Sequence, residues 1–389
     1  MSTTAPNITR IFGEHDKATL RQLEDVASRA VYAALMGDGH VGYVMPIGGV
    51  AAYRDQVSVT GVGFDIACGN AAIRTDLTTG SGLDMLDLAN EIHRSFAFGV
   101  GGTAITDDTP RDHRLFDSPA WELLPDGERE SLKELAREQI GTIGAGNHYI
   151  DVFADEQDRL WVGVHFGSRN FGYSVASGFL ALSQGKPWTD RVSEVEALFD
   201  LDSELGCAYW PLMNLAGEYA YAGREWVVRK VVQLMGAREL ELVHNHHNFA
   251  WREKHFGEEL IVVRKGATPA FPGQRSFVGG SMGDDAVILQ GATTETDDQR
   301  NAMFSTVHGA GRVMSRTEAA GQWRGRRGKG KITRAMQNEW LAQKGVILRG
   351  GGVDEAPQAY RRLADVLAAQ GDTIEVLHTL RPLVVVMAN

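Results

Sequence analysis

The stretch Gly61-Val62-Gly63-Phe64-Asp65-Ile66-Ala67-Cys68-Gly69 sets a carboxylate and a thiol three residues apart, between glycines, inside an otherwise apolar run. Gln56 to Thr60 and Ala71 to Leu77 alternate like strands on either side, so the segment reads as a turn between two strands. A thiol that only fills a core has no need of an acidic neighbour, whereas a hard and a soft donor together suit a cation. Working outward, histidines recur beside glycine or asparagine at apparent strand ends, at His148, His165, His247 and His308. These donors point to a metal site assembled from distant segments. Zinc, manganese, iron and cobalt all accept nitrogen, oxygen and sulfur ligands, so the donor set does not choose among them.

His247 belongs to the crowded run Val243-His244-Asn245-His246-His247-Asn248. Strand alternation would turn His244 and His246 to one face and His247 to the other. His308 lies in Val307-His308-Gly309-Ala310-Gly311-Arg312, where glycines let the backbone approach a ligand and Arg312 and Arg316 offer charge-assisted contacts to phosphate oxygens. A histidine in such a setting serves as a metal ligand, a general base or a phosphoryl-accepting nucleophile. Arg264-Lys265-Gly266-Ala267-Thr268 and Gly279-Gly280-Ser281-Met282-Gly283 also read as phosphate-binding turns, and neither matches a P-loop.

The bulk properties narrow the class. A chain of 389 residues that is 43% hydrophobic is globular, and it has no apolar run of about 18 residues to span a membrane. Met1 to Pro6 lacks the features of a signal peptide, and a cytoplasmic protein is expected. Only Cys68 and Cys207 are present, so no disulfide framework is expected, and Cys207 reads as core packing. A net charge of −11 argues against coating nucleic acid with the whole surface. One local basic run, residues 312–334, does hold Arg312, Arg316, Arg324, Arg326, Arg327, Lys329, Lys331 and Arg334, with Trp323 among them for stacking.

Apolar periodicity predicts helices over 17–36, 83–96, 127–140, 203–236, 332–343 and 355–369. Strands are expected at 239–244, 259–264, 286–290 and in the tail from Thr373 to Val386, with a hairpin joining the strand after His148 to Arg159–His165. Residues 100–125 read as a mobile surface loop. Strands cluster without βαβ repetition, which predicts an α+β fold, and no composition shift divides the chain.

From Asp38 onward the chain resembles the RtcB family of RNA ligases. The motifs that carry the resemblance are Pro46-Ile47-Gly48-Gly49-Val50, Gly63 to Gly69, Gly144-Ala145-Gly146-Asn147-His148, His165-Phe166-Gly167-Ser168-Arg169, Arg264 to Thr268, Gly280-Ser281-Met282-Gly283, His308 to Arg312 and Asp354 to Tyr360. Their order matches the family. The resemblance implies one large domain over 1–389, with mixed and antiparallel sheets around a central dinuclear metal site. Residues 1–37 would be a less typical helical segment, and 312–334 an RNA-contacting loop.

It further implies an enzyme that uses GTP and two Mn²⁺ ions to join RNA ends bearing a 3′-phosphate or 2′,3′-cyclic phosphate to 5′-hydroxyl ends, in RNA repair or tRNA splicing. Cys68 would bridge the metals, Asp65 and His148 completing one and His165 and His247 the other. His308 would carry GMP as a phosphoramidate. Nucleotide contacts would fall to Asn147, His148, Tyr149, Ile150, Asp151, His247 and Asn248. Gly279, Gly280, Ser281, Met282, Ala286, Gly309, Ala310, Gly311 and Met387 would complete them. RNA contacts would come from Arg169, Arg264, Lys265, Arg312, Arg316, Arg326 and Arg327. A monomer that works with an archease-like activator is expected.

Three departures bear on nucleotide choice. Met387 stands where the family places a guanine-holding lysine, Asp151 where it has glutamate, and Ala286 where it has serine. The alternatives are therefore a divergent enzyme with altered nucleotide use or end modification without sealing, and a non-catalytic RNA-end binder.

Overall fold

Two sheets run their strand ends into one place, and the candidate chemistry lies where they meet. The computed structural model describes residues 7–104, 106–323 and 325–389, without the side chains of Trp323, Arg326 and Arg327. The larger sheet has eight strands, seven of them in the order Arg275–Val278, Ala286–Gly291, Ile374–Met387, Tyr149–Ala154, Arg159–Phe166, Gly69–Thr78 and Glu239–His246. These pair antiparallel, and Ile347–Arg349 adds alongside the C-terminal strand in parallel. The smaller sheet runs Ile8–Ile11, Tyr32–His40, Ile47–Tyr53, Glu258–Lys265 and Asn248–His255, with only its first pair parallel. Mixed and antiparallel sheets with helices inserted irregularly make the fold α+β.

Register explains the convergence. Gly69 lies opposite both Phe166 and His246, and Tyr149 opposite both His165 and Met387. In the smaller sheet His40 faces Ile47, and Lys265 faces both Gly49 and Asn248. His247 is the single residue between the last strand of one sheet and the edge strand of the other. Both faces of the large sheet are covered. Val227, Val228 and Val231 of the helix Glu204–Leu234 pack on Ile73, Val152, Val162 and Val164, while Phe153, Trp161 and Phe277 fill the opposite side. Strands buried on two faces lose strict alternation, which is why they read as short apolar runs.

That same ambiguity undid one expectation. The helix expected over 17–36 ends at Ala27, and Tyr32–His40 is a strand, so the N-terminal segment is not simply helical. Ala33 to Met36 are buried on both faces, and a short apolar run does not distinguish strand from helix. The strand expected to Thr60 stops at Ser58 and becomes a single helical turn, Val59–Val62. The helix expected over 355–369 is confined to Leu363–Ala369, behind two 3₁₀ turns, the second opening with Pro357. The helix Arg169–Ser183 and the strand Asn248–His255 were not anticipated. Cys207 is exposed at a helix start and not packed in the core. Among the described residues, no helix is long and apolar enough to cross a membrane.

The region expected as a mobile loop is also different. Its short 3₁₀ turns, Arg114–Asp117 and Pro119–Leu123, deliver Leu115, Phe116 and Trp121 into the largest core cluster. Trp121 stacks on Phe171 with ring centroids 4.6 Å apart and donates its Nε1–H to Leu115 O at 3.0 Å. A few apolar anchors in a polar stretch suffice to fasten it. Trp121→Ala should therefore cost roughly 3–5 kcal/mol in denaturant unfolding. A loss within about 0.5 kcal/mol, the scale of a surface substitution, would contradict this packing.

Candidate metal and nucleotide site

Cys68, His148 and His165 are buried, and their ligand atoms all lie within 4.8 Å of one another. The Cys68 Sγ is 3.7 Å from His148 Nε2 and 3.5 Å from His165 Nε2. Each imidazole is oriented from behind. His148 Nδ1 is 2.9 Å from Ile143 O, an acceptor only, so Nδ1 carries a proton and Nε2 is the nitrogen turned toward Cys68 and Asp65. Asn70 donates through Nδ2 to Phe277 O at 2.9 Å, which turns its Oδ1 toward His165 Nδ1 at 2.6 Å. The Asp65 Oδ2 lies 3.1 Å from His148 Nε2. The His247 ring stacks on His165 at 5.1 Å, and its buried Nδ1 has no hydrogen-bond partner among the described residues.

The electrostatics fit a cation. Burial works against ionisation of Asp65, but the His148 imidazole outweighs it and holds the carboxyl at about 2. Burial lowers His165 and His247, leaving neutral imidazoles suited to ligation. Burial also pushes the Cys68 thiol up, so a thiolate here requires positive charge beside it. Cys68, His148 and His165 thus form a buried group that could hold a metal ion, with Asp65 beside His148 and His247 beside His165.

The backbone around them is tightly specified. Ala67 adopts the left-handed region at φ +58 and is held by its N–H donating to Asn248 O at 2.7 Å. Gly69 must be glycine, because a Cβ there would sit 2.2 Å from Asn245 O. At Gly167 a Cβ would meet Asp65 Oδ1 at 2.1 Å. Arg224, fully buried, donates through Nη1 to Ala67 O at 2.8 Å and Phe166 O at 2.5 Å, the carbonyls preceding Cys68 and following His165. It also contacts His244 Nε2 at 2.9 Å and His246 Nδ1 at 2.8 Å. The expected division of the histidine run is observed: His244 and His246 face the helix and His247 the site. Arg224 escaped sequence reasoning, its one signal being a lone arginine in an apolar helical run.

A cavity of about 250 Å³ is lined by Asp65, Cys68, His165, His247, His308, Tyr149 and Asp151, the Tyr149 ring stacking on His165 at 5.4 Å. His308 Nδ1 lies 2.6 Å from Asp38 Oδ2, which also accepts from the backbone N–H of His308 at 3.0 Å and of Gly309 at 3.3 Å. A carboxylate accepting at Nδ1 fixes the proton there and leaves Nε2 with its lone pair. The His308 ring is 4.9 Å from that of His247. Asp38 was not singled out from the sequence as a site residue, although its setting between Gly37 and Gly39 marks a close backbone approach.

Most expected nucleotide contacts line this cavity. Asn147 and Asn248 flank the metal end, Gly309, Ala310 and Gly311 form one wall, and Gly279, Gly280 and Ser281 another. Met282, Val385 and Met387 add apolar wall, and the Oδ1 of Asp151, opposite Val385 in the sheet, is buried without a partner, as is the Tyr149 hydroxyl. Burial pushes the Asp151 carboxyl well up. Two assignments are corrected. Ile150 alternates to the opposite face and joins the helix-side core, and Ala286 packs beneath the cavity without lining it.

The cationic assignments divide as well. Arg312 and Arg316 line the cavity, Arg312 donating to Asp354 O at 2.8 Å and Tyr360 Oη at 2.9 Å, and Arg316 pairing with Asp354 at 2.6 Å and with Glu355. Arg264 does not face RNA: it is fully buried, chelated by Glu253 through two 2.9 Å bonds and stacked over Trp251. Lys265 is also withdrawn, its buried amine donating to Thr60 O at 2.8 Å. Arg169 donates to Thr142 Oγ1 at 3.1 Å and packs under Gly144, outside the cavity lining. The side chains of Arg326 and Arg327 lie outside the described residues.

Removing the support behind one ligand tests the site. Asn70→Ala should weaken metal binding roughly 10- to 100-fold in a chelator-competition titration, with the circular dichroism spectrum retained. Affinity equal to that of the unaltered chain would mean that His165 does not ligate through Nε2.

Comparison with known proteins agrees with this geometry. Residues 20–388 match the family model described as tRNA-splicing ligase RtcB. The chain is 30% identical to the RNA-splicing ligase RtcB of Escherichia coli strain K12, across 91% of this chain and 90% of that protein. It is 31% identical to the tRNA-splicing ligase RtcB of Thermococcus kodakarensis, across 89% and 86%. With Asp65, Cys68, His165, His247 and His308 lining one cavity, and a match over nearly its whole length, the chain belongs to the RtcB family.

Proposed function

We propose that this protein is a GTP- and manganese-dependent RNA ligase that joins 3′-phosphate or 2′,3′-cyclic phosphate ends to 5′-hydroxyl ends through a histidine–GMP intermediate. The relatives named for RNA and tRNA splicing support the reaction class. The observation that carries the mechanism is His308, held at Nδ1 by buried Asp38 with Nε2 left as a lone-pair donor.

His308 Nε2 attacks the α-phosphorus of GTP, forming a P–N bond as pyrophosphate leaves. Asp38 stabilises the positive charge that develops on the ring, as a carboxylate does behind a catalytic imidazole. An oxygen of the RNA 3′-phosphate then displaces His308 from the α-phosphorus, leaving the RNA end activated by GMP. The 5′-hydroxyl oxygen next attacks the 3′-phosphorus and GMP departs, its proton passing to a base in the site. Asp65, Cys68, His148, His165 and His247 would hold two divalent cations, which supply charge neutralisation and in-line orientation of the phosphates. Arg312 and Arg316 lie along the same cavity, where guanidinium groups match phosphate oxygens. The basic segment 312–334 would guide RNA toward them. The reading extends to a single ligase domain over 1–389, a cytoplasmic monomer, and an archease-like activator.

Met387 favours a second reading, a ligase of altered nucleotide choice. The cavity wall includes the thioethers of Met282 and Met387 and the aliphatic Val385, which lies opposite Asp151 in the sheet. Such a surface grips a base mainly by apolar contact.

A sealing assay with defined RNA ends tests the proposal. The unaltered chain with Mn²⁺ and GTP should join a 3′-phosphate strand to a 5′-hydroxyl strand, and Asp38→Asn should slow joining by roughly 10³–10⁴-fold at unchanged metal content. Joining sustained by another nucleoside triphosphate and not by GTP would select the second reading. Joining at full rate in Asp38→Asn would remove the proposed role of the carboxylate.

A further inference from the structure

Close in sequence to residues that line the cavity, three aromatic rings form a chain of contacts through Phe64. Tyr43 and Phe64 meet edge to face with centroids 6.3 Å apart, and Phe64 lies 5.6 Å from Tyr173. Tyr43 is 60% exposed and Tyr173 53%, with half-buried Phe64 packed against the core behind them. Each ring is attached to the site by chain. Phe64 immediately precedes Asp65, Tyr43 follows His40 by three residues, and Tyr173 is in the first turns of the helix that begins after His165-Phe166-Gly167-Ser168. His40, Asp65 and His165 all line the cavity.

We propose that the outer faces of Tyr43 and Tyr173, backed by Phe64, form a stacking platform for the unpaired bases of the RNA strand whose end is held at the metal site. The inference rests on the RNA-ligase reading and extends it to how the strand is held upstream of its reacting end.

The platform is preorganised. Gln22 Nε2 donates to Gly42 O at 2.9 Å and Tyr43 O at 2.8 Å, and its Oε1 accepts from Gly42 N–H at 3.0 Å, so the Tyr43 loop is fastened from behind. The Lys265 amine, anchored on Thr60 O, lies 5.8 Å from the Tyr43 ring centre. Rings already fixed in place lose little freedom when a base covers them. Centroid spacings this short admit no base between the rings, so bases would cover the outer faces. The neighbours of Tyr173 on the outer side of its helix, exposed Asn170 and half-buried Ser174 and Ser177, are uncharged, so none of them repels a phosphate backbone. The patch is three rings wide, far below the roughly 800 Å² per partner of a protein interface. A run of bases fits it better, since every base offers a π face.

Fluorescence anisotropy with the full chain and a short labelled single-stranded RNA tests this. One arm carries a 3′-phosphate and the other a 5′-hydroxyl end without 3′-phosphate, which tells whose bases occupy the platform. Tyr43→Ala and Tyr173→Ala should each weaken binding of at least one strand roughly five- to a hundredfold, and Tyr173→Phe should restore it. A 5-iodouridine near the bound end should photo-crosslink to Tyr43 or Tyr173. Unchanged affinity in both alanine variants would overturn the platform, and so would an equal loss with blunt duplex RNA, whose bases are not free to stack. A defect confined to stimulation by a protein activator, with RNA affinity intact, would also overturn it and assign the rings to protein docking. Failure of the unaltered chain to seal RNA would instead count against the ligase reading, because the affinity comparison does not depend on catalysis.

Discussion

The site depends on one pinned crossing of backbone. Ala67 donates to Asn248 O, His247 donates to Cys68 O, and Ala267 donates to His247 O, at 2.7, 2.9 and 3.1 Å. These three bonds tie the turn after Asp65 to the corner where one sheet becomes the other. Arg224 closes the knot from the helix side through the carbonyls of Ala67 and Phe166. Because a buried backbone group left without a partner costs about 1–3 kcal/mol, the arrangement is held as a unit. Ligands drawn from distant segments can then share a cavity without any one segment supplying the geometry.

On that frame the two histidine environments diverge. His148 and His165 are backed at Nδ1 by a carbonyl and an amide oxygen, which place a proton on that nitrogen and orient each ring. His308 is backed by a carboxylate, which suits a ring that must accept positive charge during bond formation. Identical side chains thus acquire different roles from what stands behind them. Asp38 is held by the backbone N–H groups of His308 and Gly309, so the same loop that carries the proposed nucleophile also positions its support.

How much of this was legible depended on whether the signal was local. The spacing of Asp65 and Cys68 and the glycine-flanked histidines marked residues that the fold brings together, because close approach of backbones needs glycine. The alternation through His244, His246 and His247 was readable for the same reason. Asp38 and Arg224 were not, since each acts on residues far away in sequence and neither lies in a pattern that declares its partner. Arg264 misled in the other direction: a cation beside a glycine turn looks like a phosphate contact, yet Glu253 across the strand pair neutralises it in the core. Among the elements, the helix 17–36 overran because Ala33 to Met36 are buried on both sides, and residues 100–125 looked mobile because their few apolar anchors are widely spaced.

The central claim is that His308 Nε2 is the nucleophile while the metal-site residues hold the cations. Incubation of the metal-loaded chain with GTP, followed by peptide mass mapping, tests it directly. The account predicts a GMP mass increment on the peptide containing His308, acid-labile as a phosphoramidate is, and its absence in His308→Ala at unchanged metal content. An adduct on a different residue, or metal lost when His308 is replaced, would contradict it.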